Sequence, residues 1–266
     1  MAYSKYNSRR LEGKVALLTA STEGIGYATA ERLAHEGAKV VISSRNETNV
    51  KKALQQLIDS GIPSENVSGT VCHAGNPAHR QHLVDFALQK FGKIDILFNN
   101  AGINPAVGEI LDVTTSQYDK LMDVNIKATF LMSRLVAEHM KRNGGGVIIF
   151  NATVGAFSAK RGILTYSMLK SALLALTPAL AHELAPYNIR VNTVAPGAIE
   201  TRMGSIMFDK NNPRYKLVES NGIFWWLNRR GQPSDIAASV AYLVSDDAKF
   251  VTGENHLVTG GTDCRL

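Results

Sequence analysis

The sequence predicts a doubly wound α/β fold, in which a single parallel sheet carries helices on both of its faces. The first observation is a short apolar strand at residues 14–20, which runs into the glycine-containing turn STEGIG and then into a helical pattern. The second is the alternation of predicted strands and helices along the rest of the chain. The third is the lack of any repeat or low-complexity linker, so residues 1–266 are expected to form a single domain.

Each predicted element rests on an apolar run or on helical spacing of apolar residues. Strands are predicted at residues 14–20, 39–43, 67–72, 94–98, 147–150, 189–194 and 256–258. Helices are predicted after the first turn as far as Gly37, and at residues 49–60, 78–91, 115–141, 166–184 and 233–243. Pro178 lies inside the fifth helix, where proline removes a hydrogen bond and costs ~3 kcal/mol, so we expect a kink or a local break there.

The composition is that of an ordinary soluble protein, with 45% hydrophobic and 20% charged residues. No apolar run reaches the ~18 residues of a membrane span, and the amino terminus lacks the apolar core of a secretory signal, so no membrane partner is expected. Cys72 and Cys264 lie outside any metal-ligand spacing, which predicts reduced thiols, an intracellular protein and no metal site. The net charge of +6 comes from scattered basic residues, so we expect one local anion site and no nucleic-acid partner.

The turn after the first strand has the features of a dinucleotide-binding cradle. A strand, a glycine-containing turn and a helix in this order direct backbone N–H groups and the helix amino terminus at a pyrophosphate. Two of the usual three glycines are present, and Ala20 stands where the first would be, so we expect a negative φ at Ala20. The candidate cofactor-binding residues of this turn are Ala20, Ser21, Thr22, Gly24, Ile25 and Gly26.

The end of the second predicted strand indicates which dinucleotide binds. An acidic residue there would bind the 2′-hydroxyl of NAD, but the chain has Ser44, Arg45 and Asn46 instead. A guanidinium can hold a 2′-phosphate through charge-assisted hydrogen bonds, so Arg45 favours NADP(H) as the cofactor. The alternative is that Arg45 is an ordinary exposed arginine.

Two further strand ends carry residues suited to the same cofactor. Cys72 and His73 follow the third strand, within reach of the adenine in this type of sheet, and the alternative for His73 is a surface or packing role. The string NNAG ends the fourth strand, where small and amide residues let the backbone approach a cofactor. The candidates from that string are Asn99, Ala101 and Gly102.

Tyr166 and Lys170 lie four residues apart, on one face of the fifth predicted helix. A phenol has a pKa of ~10 in model peptides, and a nearby cation would lower that pKa until the tyrosine exchanges a proton near neutral pH. Carbonyl reduction needs such a group, because hydride goes to carbon and a proton goes to oxygen. Thr153 supplies a hydroxyl that could hold the carbonyl oxygen beside the phenol. The alternative for the pair is a solvated helix face.

The chain resembles the short-chain dehydrogenase/reductase family over nearly its whole length, through motifs that occur in the family's order. They are TASTEGIG, NNAG, Asn125, the pair Tyr166-x-x-x-Lys170, and PG followed by Thr201. The resemblance implies a Rossmann fold and a catalytic tetrad of Asn125, Thr153, Tyr166 and Lys170. It also implies a homotetramer built on four-helix packing, and cofactor contacts from Tyr166, Lys170, Pro196, Gly197, Ile199 and Thr201.

The roles that the resemblance implies define a mechanism. Tyr166 donates a proton as general acid, Lys170 lowers the phenol pKa and hydrogen-bonds the nicotinamide ribose, and Thr153 positions the substrate oxygen. Asn125 holds a water that relays protons past Lys170. The family usually has serine where this chain has Thr153, and the extra methyl restricts χ1, so the hydroxyl must point correctly for activity.

Together these inferences predict NADPH-dependent reduction of ketones and aldehydes to alcohols. The strings TASTEGIG, VVISSRNETNV, VCH and HELAPYNIRVNTVAPG are similar to a peroxisomal group of carbonyl reductases and retinol dehydrogenases. That similarity implies aromatic ketones, α-dicarbonyls, retinal and 3-ketosteroids as substrates. One alternative is a 3-oxoacyl or 3-hydroxyacyl oxidoreductase of fatty-acid metabolism, and the other is a non-catalytic NADP(H)-binding scaffold.

Two remaining segments bear on substrate and location. Residues 198–230 have no periodicity and are rich in large apolar side chains, which would cover a substrate or, alternatively, pack on the core or on a neighbouring subunit. Those side chains are Met203, Met207, Phe208, Phe224, Trp225 and Trp226. The chain ends in Cys264-Arg265-Leu266, close to a small-basic-leucine peroxisomal address, so we expect a peroxisomal location, with the cytoplasm as second choice.

Overall fold

The computed structural model describes residues 9–159, 161–208, 210–211, 215 and 225–262, which contain one seven-stranded parallel sheet. The strands lie in the order β3-β2-β1-β4-β5-β6-β7. Their bounds are β1 Val15–Leu18, β2 Lys39–Ser44, β3 Val67–Val71, β4 Ile96–Asn99, β5 Gly146–Asn151, β6 Ile189–Pro196 and β7 Asn255–Val258. The predicted fold class is confirmed, and the predicted strands agree with the observed ones to within two residues at either end.

Helices cover both faces of the sheet. Their bounds are α1 Gly24–His35, α2 Glu47–Asp59, α3 Pro77–Phe91, α4 Thr115–Leu121, α5 Ala128–Arg142, α6 Leu164–Leu184 and α7 Pro233–Val244. The prediction of one α-helix at residues 115–141 is wrong, because a π-helical turn, Met122–Lys127, separates α4 from α5. This wider turn contains Asn125, whose side chain is fully buried and therefore has to find its hydrogen bonds within the protein.

Because the sheet is buried on both faces, its strands are continuous apolar runs rather than alternating ones. Successive side chains of a strand still point to opposite faces. Leu18 of β1 packs on the face covered by α1, α2 and α7, whereas Leu17 packs on the face covered by α3, α5 and α6. The same alternation sends Phe98 and Leu97 of β4 to opposite faces. The polar side chains that could bind a ligand or take part in catalysis are therefore found at the ends of the strands.

Helix α6 with the turn after it is long and apolar enough to cross a membrane by length and composition alone. It packs on β6, and its residues Leu173 and Ala181 are buried in the core beneath the sheet. Lys170, nearly two turns from the start of the same helix, is only 3% exposed. Packing on the sheet therefore accounts for part of the apolar composition of this helix.

Helix α6 runs without interruption through Pro178, so the predicted local break does not occur. Proline has no N–H, and the carbonyl of Leu174 therefore lacks its usual donor four residues later. The structure supplies another donor, because the side-chain Nδ2 of Asn255 at the start of β7 lies 3.1 Å from the Leu174 carbonyl oxygen. A side-chain amide from a distant strand thus replaces the missing helical hydrogen bond.

Replacing Asn255 by leucine is expected to lower the free energy of unfolding by about 1–3 kcal/mol, because the Leu174 carbonyl then loses the donor that replaces the proline N–H. In a Pro178→Ala background the alanine N–H can bond that carbonyl again, so the same Asn255→Leu change should cost clearly less. Urea denaturation of the two single variants and the double variant measures this coupling. An equal loss in both backgrounds would show that Asn255 stabilises β7 through other contacts.

Candidate active site

A cavity of about 500 Å³ lies at the carboxyl ends of the central strands, where the strand order reverses at β1. Ligands bind at this position in open parallel sheets, because the loops on either side of the reversal diverge. The cavity is lined by eleven of the residues predicted for the site. They are Ala20, Thr22, Gly24, Ile25, Ser44, Arg45, Ala101, Gly102, Tyr166, Lys170 and Thr201.

The remaining predicted residues do not belong to this lining. Ser21 is buried, and its hydroxyl donates to the Leu18 carbonyl at 3.0 Å, which ties the turn to β1. Asn99 is also buried and donates to Ser133 at 3.0 Å, while Asn46 caps α2 rather than facing the cavity. The others outside the lining are Gly26, Asn125, Thr153, Pro196, Gly197 and Ile199.

Ala20 adopts a positive φ of 49°, so the expectation of a negative φ is wrong. The carbonyl of Ala20 accepts a hydrogen bond of 2.8 Å from Nδ2 of Asn100, which holds the peptide in this orientation. Gly26 packs directly against the same group, because a Cβ on Gly26 would lie 2.6 Å from the Ala20 carbonyl oxygen. The turn therefore keeps the shape of a dinucleotide cradle with an alanine in the first glycine position.

The amino terminus of α1 is open towards the cavity. Its N-cap residue, Glu23, makes no side-chain capping bond, and the first turn of α1 contains no acidic residue. The N–H groups and the helix dipole at this end are suited to an anion. The Glu23 carboxylate itself pairs with Arg202 at 2.5 Å, so its charge is offset by a group from the segment after β6.

A chain of hydrogen bonds that the sequence analysis did not predict connects the cradle to the lysine. Oδ1 of Asn100 accepts from Nδ2 of Asn151 at 2.8 Å, and the Asn151 carbonyl accepts from Nζ of Lys170 at 2.6 Å. Thr19 completes the turn, since its hydroxyl oxygen accepts from the N–H groups of Asn100 and Ala101, both at 3.0 Å. Thr19, Asn100 and Asn151 each end or follow a predicted strand, which is the signal that could have identified them.

Burial, rather than mutual charge, dominates the proton affinities of Tyr166 and Lys170. Desolvation raises the pKa of the Tyr166 phenol to about 12 and lowers the pKa of the Lys170 ammonium to about 8. The predicted lowering of the phenol pKa is therefore wrong for the protein alone. The reason is that Nζ of Lys170 lies 5.8 Å from the Tyr166 ring centroid and donates to the Asn151 carbonyl instead.

Asn125 lies close to Lys170 across the backbone of Gly102. A Cβ on Gly102 would lie 3.2 Å from Oδ1 of Asn125 and 3.4 Å from Nζ of Lys170. Asn125 is fixed by two hydrogen bonds to Ile103, at 2.9 Å to its N–H and at 3.0 Å to its carbonyl. The structure therefore brings Asn125, Lys170 and Tyr166 together at one end of the cavity, around a glycine that leaves room for a ligand.

Thr153 precedes the short turn Val154–Ala156, and its hydroxyl oxygen accepts from the Gly155 N–H at 3.3 Å. It does not belong to the cavity lining.

Of the apolar residues predicted to cover a substrate, Met203 lines the cavity, whereas the rings of Phe208 and Trp225 pack on each other. Phe224, the side chain of Met207 and the tail Cys264-Arg265-Leu266 lie outside the described residues.

A family model described as enoyl-(acyl carrier protein) reductase matches residues 19–263, which include the cradle, the asparagines and the Tyr166–Lys170 pair. The chain is a short-chain dehydrogenase/reductase. Its Rossmann-like parallel sheet is the fold that the sequence resemblance implied.

Curated relatives carry the same family assignment. The chain is 49% identical to dehydrogenase/reductase SDR family member 4 of Caenorhabditis elegans, over 98% of this chain and 99% of the relative. It is 45% identical to the Homo sapiens protein of that name, over 96% of this chain and 90% of the relative. This short-chain dehydrogenase/reductase is therefore similar to proteins of one named group over nearly their full length.

Two solved structures show the fold with a dinucleotide present. A 3-ketoacyl-(acyl-carrier-protein) reductase from Brucella melitensis, complexed with NADH, is 33% identical with a TM-score of 0.85, over 96% of this chain and 100% of that one. A 7α-hydroxysteroid dehydrogenase, complexed with NADH and 7-oxo glycochenodeoxycholic acid, is 32% identical with a TM-score of 0.86, over 96% of each chain. These neighbours support a nicotinamide cofactor for this oxidoreductase.

Proposed function

We propose that this short-chain dehydrogenase/reductase uses NADPH to reduce ketones and aldehydes to alcohols. The observation that carries the proposal is a protonated phenol, Tyr166, beside the buried Lys170 in a cavity whose other arm ends at Arg45. The proposed substrates are aromatic ketones, α-dicarbonyls, retinal and 3-ketosteroids. The open cavity and the apolar Met203 at its edge are compatible with such molecules.

The described residues fit a dinucleotide. Gly26 and the uncapped start of α1 would hold the diphosphate, Gly102 would admit the nicotinamide ribose beside Lys170, and Arg45 would hold a 2′-phosphate. The bound cofactor supplies the hydride that the carbonyl carbon receives. The protein supplies the proton: the phenol of Tyr166 gives it to the carbonyl oxygen, so the two-electron reduction ends in a neutral alcohol.

Lys170 and Asn125 would restore the proton to Tyr166. With a pKa of about 8, the Lys170 ammonium gives up and regains a proton readily near neutral pH. Asn125 is rigidly held within reach of the same Gly102 backbone, where it could orient a water. Thr153 would then position the carbonyl oxygen, provided that its hydroxyl turns from the Gly155 N–H towards the phenol.

Replacing Arg45 by aspartate is expected to weaken NADPH binding by about 10- to 100-fold and to improve NADH binding, because a carboxylate repels a 2′-phosphate and accepts from a 2′-hydroxyl. Fluorescence titration with both cofactors measures the change. Lys52→Asp is the matched control, since it makes the same change of charge at an exposed position of α2 outside the cavity. Unchanged NADPH affinity in Arg45→Asp would refute the 2′-phosphate role.

NADPH consumption with a panel of carbonyl compounds tests the function. Turnover of aromatic ketones, α-dicarbonyls, retinal or 3-ketosteroids is the expected result, and the panel ranks these substrates. Acetoacetyl-coenzyme A belongs in the panel, because the similar Brucella melitensis protein is a 3-ketoacyl-(acyl-carrier-protein) reductase. Turnover of that thioester alone would favour the 3-oxoacyl alternative, and tight NADPH binding without any turnover would favour a scaffold.

The assembly that we propose is a homotetramer with helix faces at its interfaces. Leu164 and Met168 lie one turn apart on α6 and are 45% and 49% exposed, and Phe130 of α5 is 42% exposed. Exposed large apolar side chains on neighbouring helices are typical of a subunit contact. Analytical ultracentrifugation distinguishes a tetramer from a dimer or a monomer.

We also propose that the protein is peroxisomal, on the basis of its Cys264-Arg265-Leu266 ending. A fluorescent fusion at the amino terminus should enter peroxisomes, and the same fusion without the last three residues should stay in the cytoplasm. A cytoplasmic full-length fusion would favour the second choice of location.

A further inference from the structure

The arm of the cavity opposite Tyr166 is built from the ends of β2 and β3. These strands are adjacent, with Ser44 paired to Val71, and the Cys72 N–H donates to the Ser44 carbonyl at 2.9 Å. Arg45 directly follows β2, His73 lies two residues after the end of β3, and both line the cavity. This arm therefore contains a guanidinium and an imidazole at the ends of adjacent strands.

The loop after β3 is held rigidly and forms the floor of this arm. The backbone N–H of His73 donates to Nδ1 of His79 at 3.2 Å, and the buried Arg80 donates to the Ala74 carbonyl at 2.6 Å. A Cβ on Gly75 would lie 3.6 Å from the Cγ2 of Val124. The loop is thus in contact with the π-helical turn that follows α4.

Lys120 of α4 also lines the cavity. It precedes Val124 by four residues, which puts both on one face of the helical run, and both line the cavity. Lys120 makes no hydrogen bond or ion pair to any residue that the structure describes, whereas the neighbouring carboxylate of Asp123 pairs with Lys127 at 3.2 Å. The charge of Lys120 is therefore available to a ligand.

The carboxylate in the cavity lining is that of Glu23, and it is paired with Arg202 at the cradle. Besides Glu23, the described residues that line the cavity, including those of the arm with Arg45 and His73, are not acidic. A dianionic phosphate in this arm would meet cations from two directions, one at the end of β2 and one from α4. A neutral 2′-hydroxyl would gain less from the second cation than a phosphate, because it carries no net charge for the lysine ammonium to attract.

We propose that Lys120 is a specificity-determining residue, a second cation that binds the 2′-phosphate of NADP(H) across the cavity arm from Arg45. This inference rests on the proposed use of NADP(H). Lys120 acts there as a point charge, while Arg45 supplies the directional hydrogen bonds. Discrimination between the two dinucleotides is then shared between β2 and α4.

Calorimetric titration of the whole protein with adenosine 2′,5′-bisphosphate and with 5′-AMP tests the inference without any turnover. Lys120→Gln should weaken the bisphosphate about 5- to 20-fold and leave 5′-AMP within about 2-fold. Lys141→Gln is the matched control, because it removes the same charge from the end of α5, where Lys141 stacks on Tyr187 outside the cavity. The control should bind both probes as the wild type does.

Two results would overturn the role of Lys120. One is an unchanged bisphosphate affinity in Lys120→Gln, and the other is an equal loss for both probes, which would assign Lys120 to the 5′-phosphate or to folding. A separate outcome tests the proposed cofactor itself. If the wild type binds both probes equally well, both the NADP(H) assignment and the role of Lys120 are refuted. If the wild type prefers the bisphosphate, and Arg45→Gln abolishes this preference while Lys120→Gln retains it, only the role of Lys120 is refuted.

Discussion

Tyr166→Phe is expected to reduce kcat for carbonyl reduction by about 10²- to 10⁴-fold, which is the contribution of a positioned proton donor. The change removes one oxygen atom and leaves the ring, its packing and Lys170 in place, so the dissociation constant for NADPH should stay within about 2-fold. Stopped-flow measurement of NADPH consumption and a fluorescence titration give the two quantities. Tyr187→Phe is the matched control, because that ring stacks on Lys141 outside the cavity and should leave kcat unchanged.

The pH dependence of the wild type provides an independent readout. Burial holds the Tyr166 pKa at about 12, so the phenol is protonated through the neutral range and is ready to donate in the reductive direction. Alcohol oxidation needs the phenolate, so its kcat should rise about tenfold per pH unit below the operative pKa. Tyr166→Phe should lose that rise. A variant that kept a tenth of the activity and the same pH profile would exclude the phenol as the proton donor.

Gly26→Ala is expected to lower kcat/KM by about 10²-fold through misplacement of the cofactor. The added Cβ would lie 2.6 Å from the Ala20 carbonyl oxygen, 2.6 Å from Nδ2 of Asn100 and 2.7 Å from Cα of Ser21. Two of these atoms belong to the backbone, and the Asn100 amide holds the Ala20 carbonyl in place, so the methyl can be accommodated only if the whole turn shifts. Overpacking of this kind typically costs about 1–3 kcal/mol of stability as well.

Gly61→Ala separates a defect in the cradle from a general loss of stability. Gly61 has a φ of 96° and nothing within 4 Å of an added Cβ, so alanine there introduces backbone strain at a site far from the cavity. It should lower stability and leave the NADPH dissociation constant unchanged. If Gly26→Ala bound NADPH as tightly as the wild type, the cradle would not be the diphosphate site.

The features that the sequence predicted well depend on local patterns. Apolar runs located the seven strands, and the i, i+4 spacing placed Tyr166 and Lys170 on one face of α6. The pKa shifts of that pair depend on how deeply the surrounding chain buries it, which no local pattern encodes. The positive φ of Ala20 likewise depends on Asn100, eighty residues away.

The interrupted helix around Asn125 was missed for a related reason. The apolar spacing of residues 115–141 continues through Met122–Lys127, so periodicity alone gives no sign of a π-helical turn. The side chain of Asn125 instead bonds both backbone groups of Ile103, in the loop after β4. That tertiary pairing, together with the approach to Gly102, accompanies the wider turn, which is a common feature of functional helices.

The bond from Asn255 to Leu174 has a consequence for synthesis of the chain on the ribosome. Leu174 is translated 81 residues before the side chain that completes its hydrogen bonding. Until Asn255 has left the exit tunnel, the Leu174 carbonyl has no side-chain donor from β7 and accepts its hydrogen bond from water. The nascent α6 therefore stays hydrated at this residue. Strand β7 therefore completes the hydrogen bonding of α6, the helix that carries Tyr166 and Lys170, only late in synthesis. A nascent chain that stops before Asn255 lacks this hydrogen bond.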